Sequence, residues 1–223
     1  MLYTIPHAGA GVAAVRPICR ELADHMDTVA VRLPGRESSM DETPITDLIL
    51  LATRLANQVQ GHANGRHVYL YGHCAGALLA YETARLLDAT LLDHLVVSAQ
   101  QAPDRVPAGA TWRLPREPFL AHVANDGYLP KEILDQPELV ELVEPALRAD
   151  YQAVECHSST LAVLDTPILA LLGADEHSVA VDDVAAWAAR TAAGFRLDLL
   201  PGGHNLLADR YKEVAAAIRA VVA

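Results

Sequence analysis

The sequence predicts an α/β protein with a mostly parallel sheet that is covered by helices on both faces. Short apolar runs with β character occur at residues 2–5, 28–33, 67–72, 95–99, 167–172 and 195–200. Segments with helical spacing separate most of these runs, and the connections are too long for hairpins. The alternation breaks only at residues 101–164, where no comparable run occurs. We therefore expect an α/β core that is interrupted by one insertion.

The length and composition predict a single domain. A chain of 223 residues, 52% of them hydrophobic, can bury one large core. We expect residues 1–102 and 165–223 to form the core and residues 103–164 the insertion. The formal charge of −11 argues against a nucleic-acid partner, which would require a basic face.

The chain carries no pattern of membrane insertion or secretion. No apolar run approaches the length of about 18 residues that a spanning helix needs. The N-terminal residues lack the charged and apolar regions of a signal peptide. The three cysteines, Cys19, Cys74 and Cys156, are not clustered as in a disulfide framework. We therefore expect a cytoplasmic protein without membrane contact.

A helix is predicted between the first two strands. Residues 2–5 form a buried strand, and residues 6–11 form a glycine-rich turn. The following helix is expected to begin at about Arg16, because Pro17 suits a position in the first turn. A second strand follows at residues 28–33.

The next helix, at residues 45–60, is predicted from the helical spacing of its apolar residues Leu48, Leu51, Leu55 and Val59. A buried strand at residues 67–72 follows it. A further helix at residues 75–87 and a strand at residues 95–99 complete the first half of the sheet.

Between the strand at 67–72 and its helix lies the segment Gly72-His73-Cys74-Ala75-Gly76. It matches the G-x-S-x-G nucleophile elbow, with cysteine where serine usually stands. The glycines are required because a Cβ at either place would strike the neighbouring backbone. We predict that Cys74 is a nucleophile, and the alternative is a small buried thiol that only packs. Cys19 and Cys156 lie in helical contexts and are expected to be packing residues.

Residues 103–164 are predicted to form a helical lid. Seven prolines occur between residues 103 and 145, and helical patterns occur at 119–123 and 137–151. Because a structureless loop of this length is uncommon, we expect the helices to cover the carboxyl edge of the sheet. A rigid helical subdomain is an equally good interpretation. We take Phe119 and Tyr151 as candidates for contact with a substrate.

The alternation resumes after the insertion. Strands are predicted at residues 167–172 and 195–200, with a helix at 182–192 between them and a final helix at 206–222. The turns after the two strands contain Asp175 and Glu176, and His204. Parallel strands bring these turns to the same sheet edge as Cys74, in the chain order nucleophile, acid, histidine.

These residues suggest nucleophilic catalysis. His204 would accept a proton from Cys74 or hold its thiolate, and Asp175 or Glu176 would orient the imidazole. The backbone N–H groups of Ala8 and Ala75 are the candidate oxyanion hole. His7 borders the oxyanion loop and is a further candidate. The other histidines show no metal-binding spacing, so we expect no metal.

Five motifs in order resemble the type II thioesterases of polyketide and nonribosomal peptide assembly lines. They are Pro6-His7-Ala8-Gly9, Arg32-Leu33-Pro34-Gly35-Arg36, Gly72-His73-Cys74-Ala75-Gly76, Leu147-Arg148-Ala149-Asp150-Tyr151 and Pro201-Gly202-Gly203-His204. The resemblance implies an α/β-hydrolase fold with a helical lid. It implies an enzyme that cleaves acyl or peptidyl thioesters from the phosphopantetheine of acyl or peptidyl carrier proteins, without a cofactor of its own. In this family the acid stands three residues after the turn glycine, which favours Glu176 over Asp175.

The sequence departs from the family at the elbow, where Cys74 and Ala75 replace serine and methionine. An acyl-cysteine stays activated toward amines, so an acyltransferase or cyclase is the first alternative to a hydrolase. A carrier-binding module without turnover is the second. We expect a monomer that docks its acidic carrier through arginines beside the lid, with Arg105, Arg113, Arg116 and Arg148 as candidates.

Overall fold

The structure, a computed structural model, describes residues 1–158 and 161–222. Residues 159 and 160, near the end of the predicted lid range, and residue 223, the last of the predicted core range, lie outside the described residues. Six strands form one sheet in the order β2-β1-β3-β4-β5-β6, and every pairing is parallel. The strands are β1 (Leu2–Ile5), β2 (Thr28–Ala30), β3 (Val68–His73), β4 (Leu92–Ser98), β5 (Ile168–Gly173) and β6 (Phe195–Leu200). The predicted fold class is confirmed.

Helices cover both faces of this sheet. The helices of the described residues are α1 (Val12–Leu22), α2 (Leu48–Ala63), α3 (Ala75–Ala84), α4 (Arg116–Asn125), α5 (Lys131–Leu134), α6 (Pro137–Glu155), α7 (Val181–Ala185), α8 (Leu206–Asp209) and α9 (Tyr211–Val222). Strand β3 divides its side chains between the two resulting cores. Val68 and Leu70 pack with α2 and α3, whereas Tyr69 and Tyr71 pack with α1 and α9. This alternation follows from the two-residue period of a strand whose two faces are both buried.

Helix α1 begins at Val12, four residues before the predicted start at Arg16. The carboxylate of Glu37 accepts hydrogen bonds from the backbone N–H groups of Val12 and Ala13 at 2.9 and 3.1 Å. A distant side chain therefore supplies the N-terminal cap, and Pro17 lies inside the helix.

Other boundaries also differ from the prediction. Strand β4 begins at Leu92, three residues before the predicted start, and α3 ends at Ala84, three residues before the predicted end. Helix α2 both begins and ends three residues later than predicted.

Strand β2 ends at Ala30, three residues before residue 33. The helix predicted at 182–192 is the short α7 followed by a 3-10 turn at Ala186–Arg190. The final helix is broken at Arg210, whose extended φ of −135° separates α8 from α9.

Helices α4, α5 and α6 lie between β4 and β5, at the carboxyl edge of the sheet. They have a core of their own, in which Phe119, Val123, Leu129 and Leu147 are buried together with Ala8 of the loop after β1. Helix α5 has no counterpart in the prediction. Cys156 follows α6 and is exposed, so the packing role predicted for it is wrong. In the part of the chain that is described, no helix combines the length and apolarity that crossing a membrane requires.

Candidate functional site

The turn between β3 and α3 holds Cys74 in a strained backbone conformation, with φ of +50° and ψ of −125°. A Cβ on Gly72 would lie 2.1 Å from the carbonyl oxygen of Gly76, and one on Gly76 would lie 2.3 Å from that of Pro6. Both glycines are therefore required by close backbone approach. This is the local geometry of a nucleophile elbow.

His204 and Glu176 meet beside this turn. Nδ1 of His204 lies 2.5 Å from Oε2 of Glu176, and the side chain of Glu176 is only 2% exposed. The second carboxylate oxygen, Oε1, accepts the backbone N–H groups of Ser178 at 2.6 Å and Val179 at 3.3 Å. The carboxylate is thus fixed by its own turn and binds one ring nitrogen of His204, which leaves Nε2 for Cys74.

The surroundings of His204 favour its charged form. Burial alone would lower the pKa of its imidazole. Hydrogen bonding to Cys74 and Glu176, together with their negative charge, outweighs burial and raises the pKa of His204 to about 10. Burial of Glu176 acts to raise the pKa of its carboxyl, but the bonds from His204 and Ser178 lower it overall. The pair is therefore arranged as carboxylate and imidazolium.

Asp175 takes no part in this side-chain pairing. Its side chain is exposed, and among the described residues it makes no hydrogen bond to His204. Its backbone instead holds the histidine loop, because the N–H of Asp175 donates to the carbonyl of Gly202 at 2.9 Å. The geometry favours Glu176 as the orienting acid.

Ala8 and Ala75 line the same cavity as Cys74 and His204. Ala75 is the first residue of α3, where the N–H has no acceptor within the helix. The N–H of Ala8 has no hydrogen-bond acceptor among the residues described. Both amides are therefore free to bind an oxyanion.

The loop that carries Ala8 is attached to α6. The carboxylate of Asp150 accepts the N–H of Gly9 at 2.7 Å and forms a buried two-pronged ion pair with Arg36 at 2.6 and 2.9 Å. Gly9 has φ of +73°, and a Cβ there would lie 2.5 Å from Leu147. Arg36 and Asp150 were noted in the sequence as parts of motifs, and their partnership was not predicted.

Three aromatic side chains surround the elbow. His7 is stacked on Tyr128 with ring centroids 4.3 Å apart, and His73 lies edge-on to both rings. Burial lowers the pKa of His7 to about 3 and that of His73 well below its ordinary value. Both histidines are therefore neutral. Tyr128 was missed in the sequence, where no periodic pattern marks it.

A cavity of about 320 Å³ opens over Cys74 and is lined by residues from the elbow, the histidine loop and α6. The candidate Tyr151 lies in its wall, and its hydroxyl donates to Asp126 at 2.7 Å. Phe119 is not in the wall, because it is fully buried beneath Tyr151 in the lid core. His7 lines a smaller void beside Ala8 and Ala75.

The four arginines predicted to dock a carrier differ in their exposure and in their contacts. Arg148 is half-buried, and it binds Glu144 and the carbonyls of Trp112 and Leu114 and covers the ring of Phe119. Arg148 is therefore a structural residue. Arg105, Arg113 and Arg116 are exposed, and Arg116 is paired with Glu144 at 3.0 Å.

No group of three or more histidine, cysteine, aspartate or glutamate side chains within residues 1–158 and 161–222 is arranged to hold a metal ion.

Comparison with known proteins gives consistent matches. The family described as "Thioesterase domain" matches residues 1–222. Thioesterase PikA5 of Streptomyces venezuelae is 30% identical over 96% of this chain and 77% of its own length. Phenyloxazoline synthase MbtB of Mycobacterium tuberculosis is 31% identical over 97% of this chain, which spans only 16% of that protein.

Solved structures agree with these sequence matches. The type II thioesterase BorB from the borrelidin biosynthetic cluster superimposes with a TM-score of 0.90 at 33% identity, over 100% of this chain and 92% of BorB. The sheet and the lid helices described above therefore have the arrangement of this group of α/β-hydrolases.

Proposed function

The chain belongs to the thioesterase domain family, and on this basis we propose that it cleaves acyl or peptidyl thioesters from the phosphopantetheine of a carrier protein through an acyl-cysteine at Cys74. The family makes it a hydrolase that acts on thioesters, with the fold of type II thioesterases from polyketide and nonribosomal peptide pathways. The carrier and the covalent intermediate are our proposals.

In the first half-reaction, the Cys74 thiolate attacks the thioester carbonyl carbon. The carbonyl π electrons move to oxygen, and the N–H groups of Ala8 and Ala75 bind the resulting oxyanion. The intermediate collapses by breaking the bond to the pantetheine sulfur. His204 gives its Nε2 proton to that sulfur, so that a thiol leaves and the acyl group remains on Cys74.

In the second half-reaction, water attacks the acyl-cysteine. His204, now neutral, takes one proton from the water, and the same amides bind the second oxyanion. Collapse releases the carboxylic acid and restores the thiolate with its imidazolium. Glu176 stays ionised throughout and holds Nδ1 of His204, which keeps Nε2 directed at the reacting atoms.

The observation that carries this proposal is the Glu176–His204 pair beside a strained cysteine turn. We test it with acyl groups loaded on a phosphopantetheinylated carrier protein and on free pantetheine. The intact protein should release the acid, and Cys74→Ala and His204→Ala should each lose at least about 100-fold in kcat. Binding of the carrier without any release would instead make the chain a non-catalytic carrier-binding module.

Acyl transfer or cyclisation is the second candidate, and the cysteine nucleophile favours it. Exchange of one thioester for another is close to thermoneutral, so acyl-Cys74 stays activated toward an amine. The test is the ratio of aminolysis to hydrolysis on one acyl-pantetheine. A transferase requires that this ratio be higher in the intact protein than in Cys74→Ser, and an unchanged ratio contradicts it.

The partner that fits the proposal is an acidic carrier protein docking beside the lid. With a net charge of −11, this chain needs local positive groups to meet it. Arg105 is exposed and directly precedes Val106 and Pro107 of the cavity wall, and Arg113 is exposed in the turn before α4. Charge reversal at Arg105, Arg113 and Arg116 should raise KM for the carrier-bound substrate and leave that for acyl-pantetheine unchanged.

A further inference from the structure

The hydroxyl group of Tyr128 is buried and has no hydrogen-bond partner among the described residues. It belongs to the wall of the cavity that contains Cys74 and His204. Burial of a hydroxyl group without a partner costs free energy, since its bonds to water are lost and not replaced. A buried donor without a partner, beside the proposed reacting groups, therefore requires a functional explanation.

The ring of Tyr128 is held firmly from several sides. It is stacked on His7 at a centroid distance of 4.3 Å and lies edge-on to His204 at 5.2 Å and to His73 at 6.2 Å. Burial, followed by the charge and proximity of Cys74, raises the pKa of Tyr128 well above its ordinary value. The hydroxyl thus keeps its proton at working pH, in the wall of the cavity that contains Cys74.

We infer that Tyr128 is a catalytic residue whose hydroxyl donates a hydrogen bond to the oxyanion formed at Cys74, as a third donor beside Ala8 and Ala75. A hydroxyl beside the sulfur is near the oxygen on a carbon that becomes bonded to that sulfur. Because the hydroxyl is unpaired in the free protein, the bond is gained only when charge develops. Such a contact lowers the barrier without tightening substrate binding to the same degree. The inference rests on the proposed acyl-cysteine chemistry.

Tyr128→Phe tests this role, because it keeps the ring and removes only the hydroxyl. We expect kcat on a carrier-bound acyl thioester to fall by about 10²-fold, the usual cost of losing one oxyanion donor, with KM little changed. Binding of an acyl trifluoromethyl ketone, whose carbonyl adds the Cys74 thiolate to form an oxyanion, should weaken by a similar factor. The Tm should stay the same or rise, since no bond is lost in the free protein.

Alkylation of Cys74 by iodoacetamide distinguishes an oxyanion donor from a residue that changes the reactivity of the Cys74 sulfur, because that reaction forms no oxyanion. Its rate, followed by mass spectrometry of the Cys74 peptide, should be the same in Tyr128→Phe as in the unaltered protein. Tyr3→Phe is the matched control, since the Tyr3 hydroxyl bonds to His62 away from the cavity. It should retain full turnover.

Three results would overturn the inference: unchanged turnover in Tyr128→Phe, alkylation slowed as much as turnover, or a lowered Tm. These are distinct from failure of the proposed function. In that case, the unaltered protein itself would release no acid and form no adduct.

Discussion

Asp150 of α6 accepts a hydrogen bond from the backbone N–H of Gly9 at 2.7 Å, and so connects the lid to the loop that carries Ala8. The same carboxylate is neutralised by Arg36, in a pair whose side chains are 7% and 8% exposed. A buried charge pair of this kind fixes the relative position of the two segments that carry it, because separation would leave an uncompensated buried charge. The lid helix therefore sets the position of the candidate oxyanion hole.

Asp150→Ala should lower both the stability of the protein and its rate of thioester hydrolysis. Loss of one partner of a buried pair costs about 3–5 kcal/mol in the free energy of unfolding, measurable by urea titration. The kcat should fall as well, because the Gly9 amide loses its acceptor. The double variant Arg36→Met/Asp150→Leu is the control. It should recover much of the stability and little of the kcat, and recovery of both would show that the pair does not position the loop.

Glu176→Gln and Asp175→Asn should differ widely. The side-chain amide that the first substitution introduces can donate to Nδ1 and stabilise the wrong tautomer of His204, so we expect kcat to drop by at least about 10²-fold. Asp175→Asn should stay within about 2-fold, since it leaves the backbone bond to Gly202 in place. Steady-state hydrolysis of an acyl-pantetheine measures both. Equal losses would mean that the acid has been assigned to the wrong residue.

The charged imidazole of His204 should stabilise the fold in a pH-dependent way. Its pKa is raised in the folded protein to about 10, from about 6.5 when unfolded. The contribution is therefore complete below pH 6.5 and is lost as the pH rises through 10. The difference in the free energy of unfolding between the protein and His204→Ala, measured at pH 6, 8 and 10, should shrink with pH. A difference that grows with pH would contradict the pairing.

Gly76→Ala should disrupt the elbow. Its Cβ would lie 2.3 Å from the carbonyl oxygen of Pro6, and relieving that contact should cost about 1–3 kcal/mol and displace the loop beside Ala8. Gly61→Ala is the matched control, because nothing lies near its Cβ on α2. That variant should be stabilised by about 0.5–1 kcal/mol. Thermal unfolding followed by circular dichroism gives both values.

Local patterns predicted the features that depend on local chemistry. The bounds of β6 follow from its run of apolar, β-forming residues, and the structure has the strand at the predicted residues. The glycines of the elbow follow from the close approach of the neighbouring backbone, which the structure also shows. The choice between Asp175 and Glu176 depended on which side chain the turn directs at His204. From the sequence, only the family resemblance favoured Glu176.

Long-range contacts explain what the sequence did not predict. Glu37 caps α1 from outside the helix, so the start of that helix could not be read from residues 12–16 alone. Arg36 and Asp150 are 114 residues apart, and only the packing of α6 against the segments after β1 and β2 brings them together. Tyr128 lies in the segment between α4 and α5, where no periodic pattern marks a site residue.

The most direct test of the account is rapid-quench intact-mass spectrometry after mixing the protein with an acylated carrier. Within the first turnover, the mass should rise by that of one acyl group, peptide mapping should place it on Cys74, and Cys74→Ala should show none. Release of acid at an unchanged rate with no adduct on Cys74, or with the adduct on Cys19 or Cys156, would contradict the proposed mechanism.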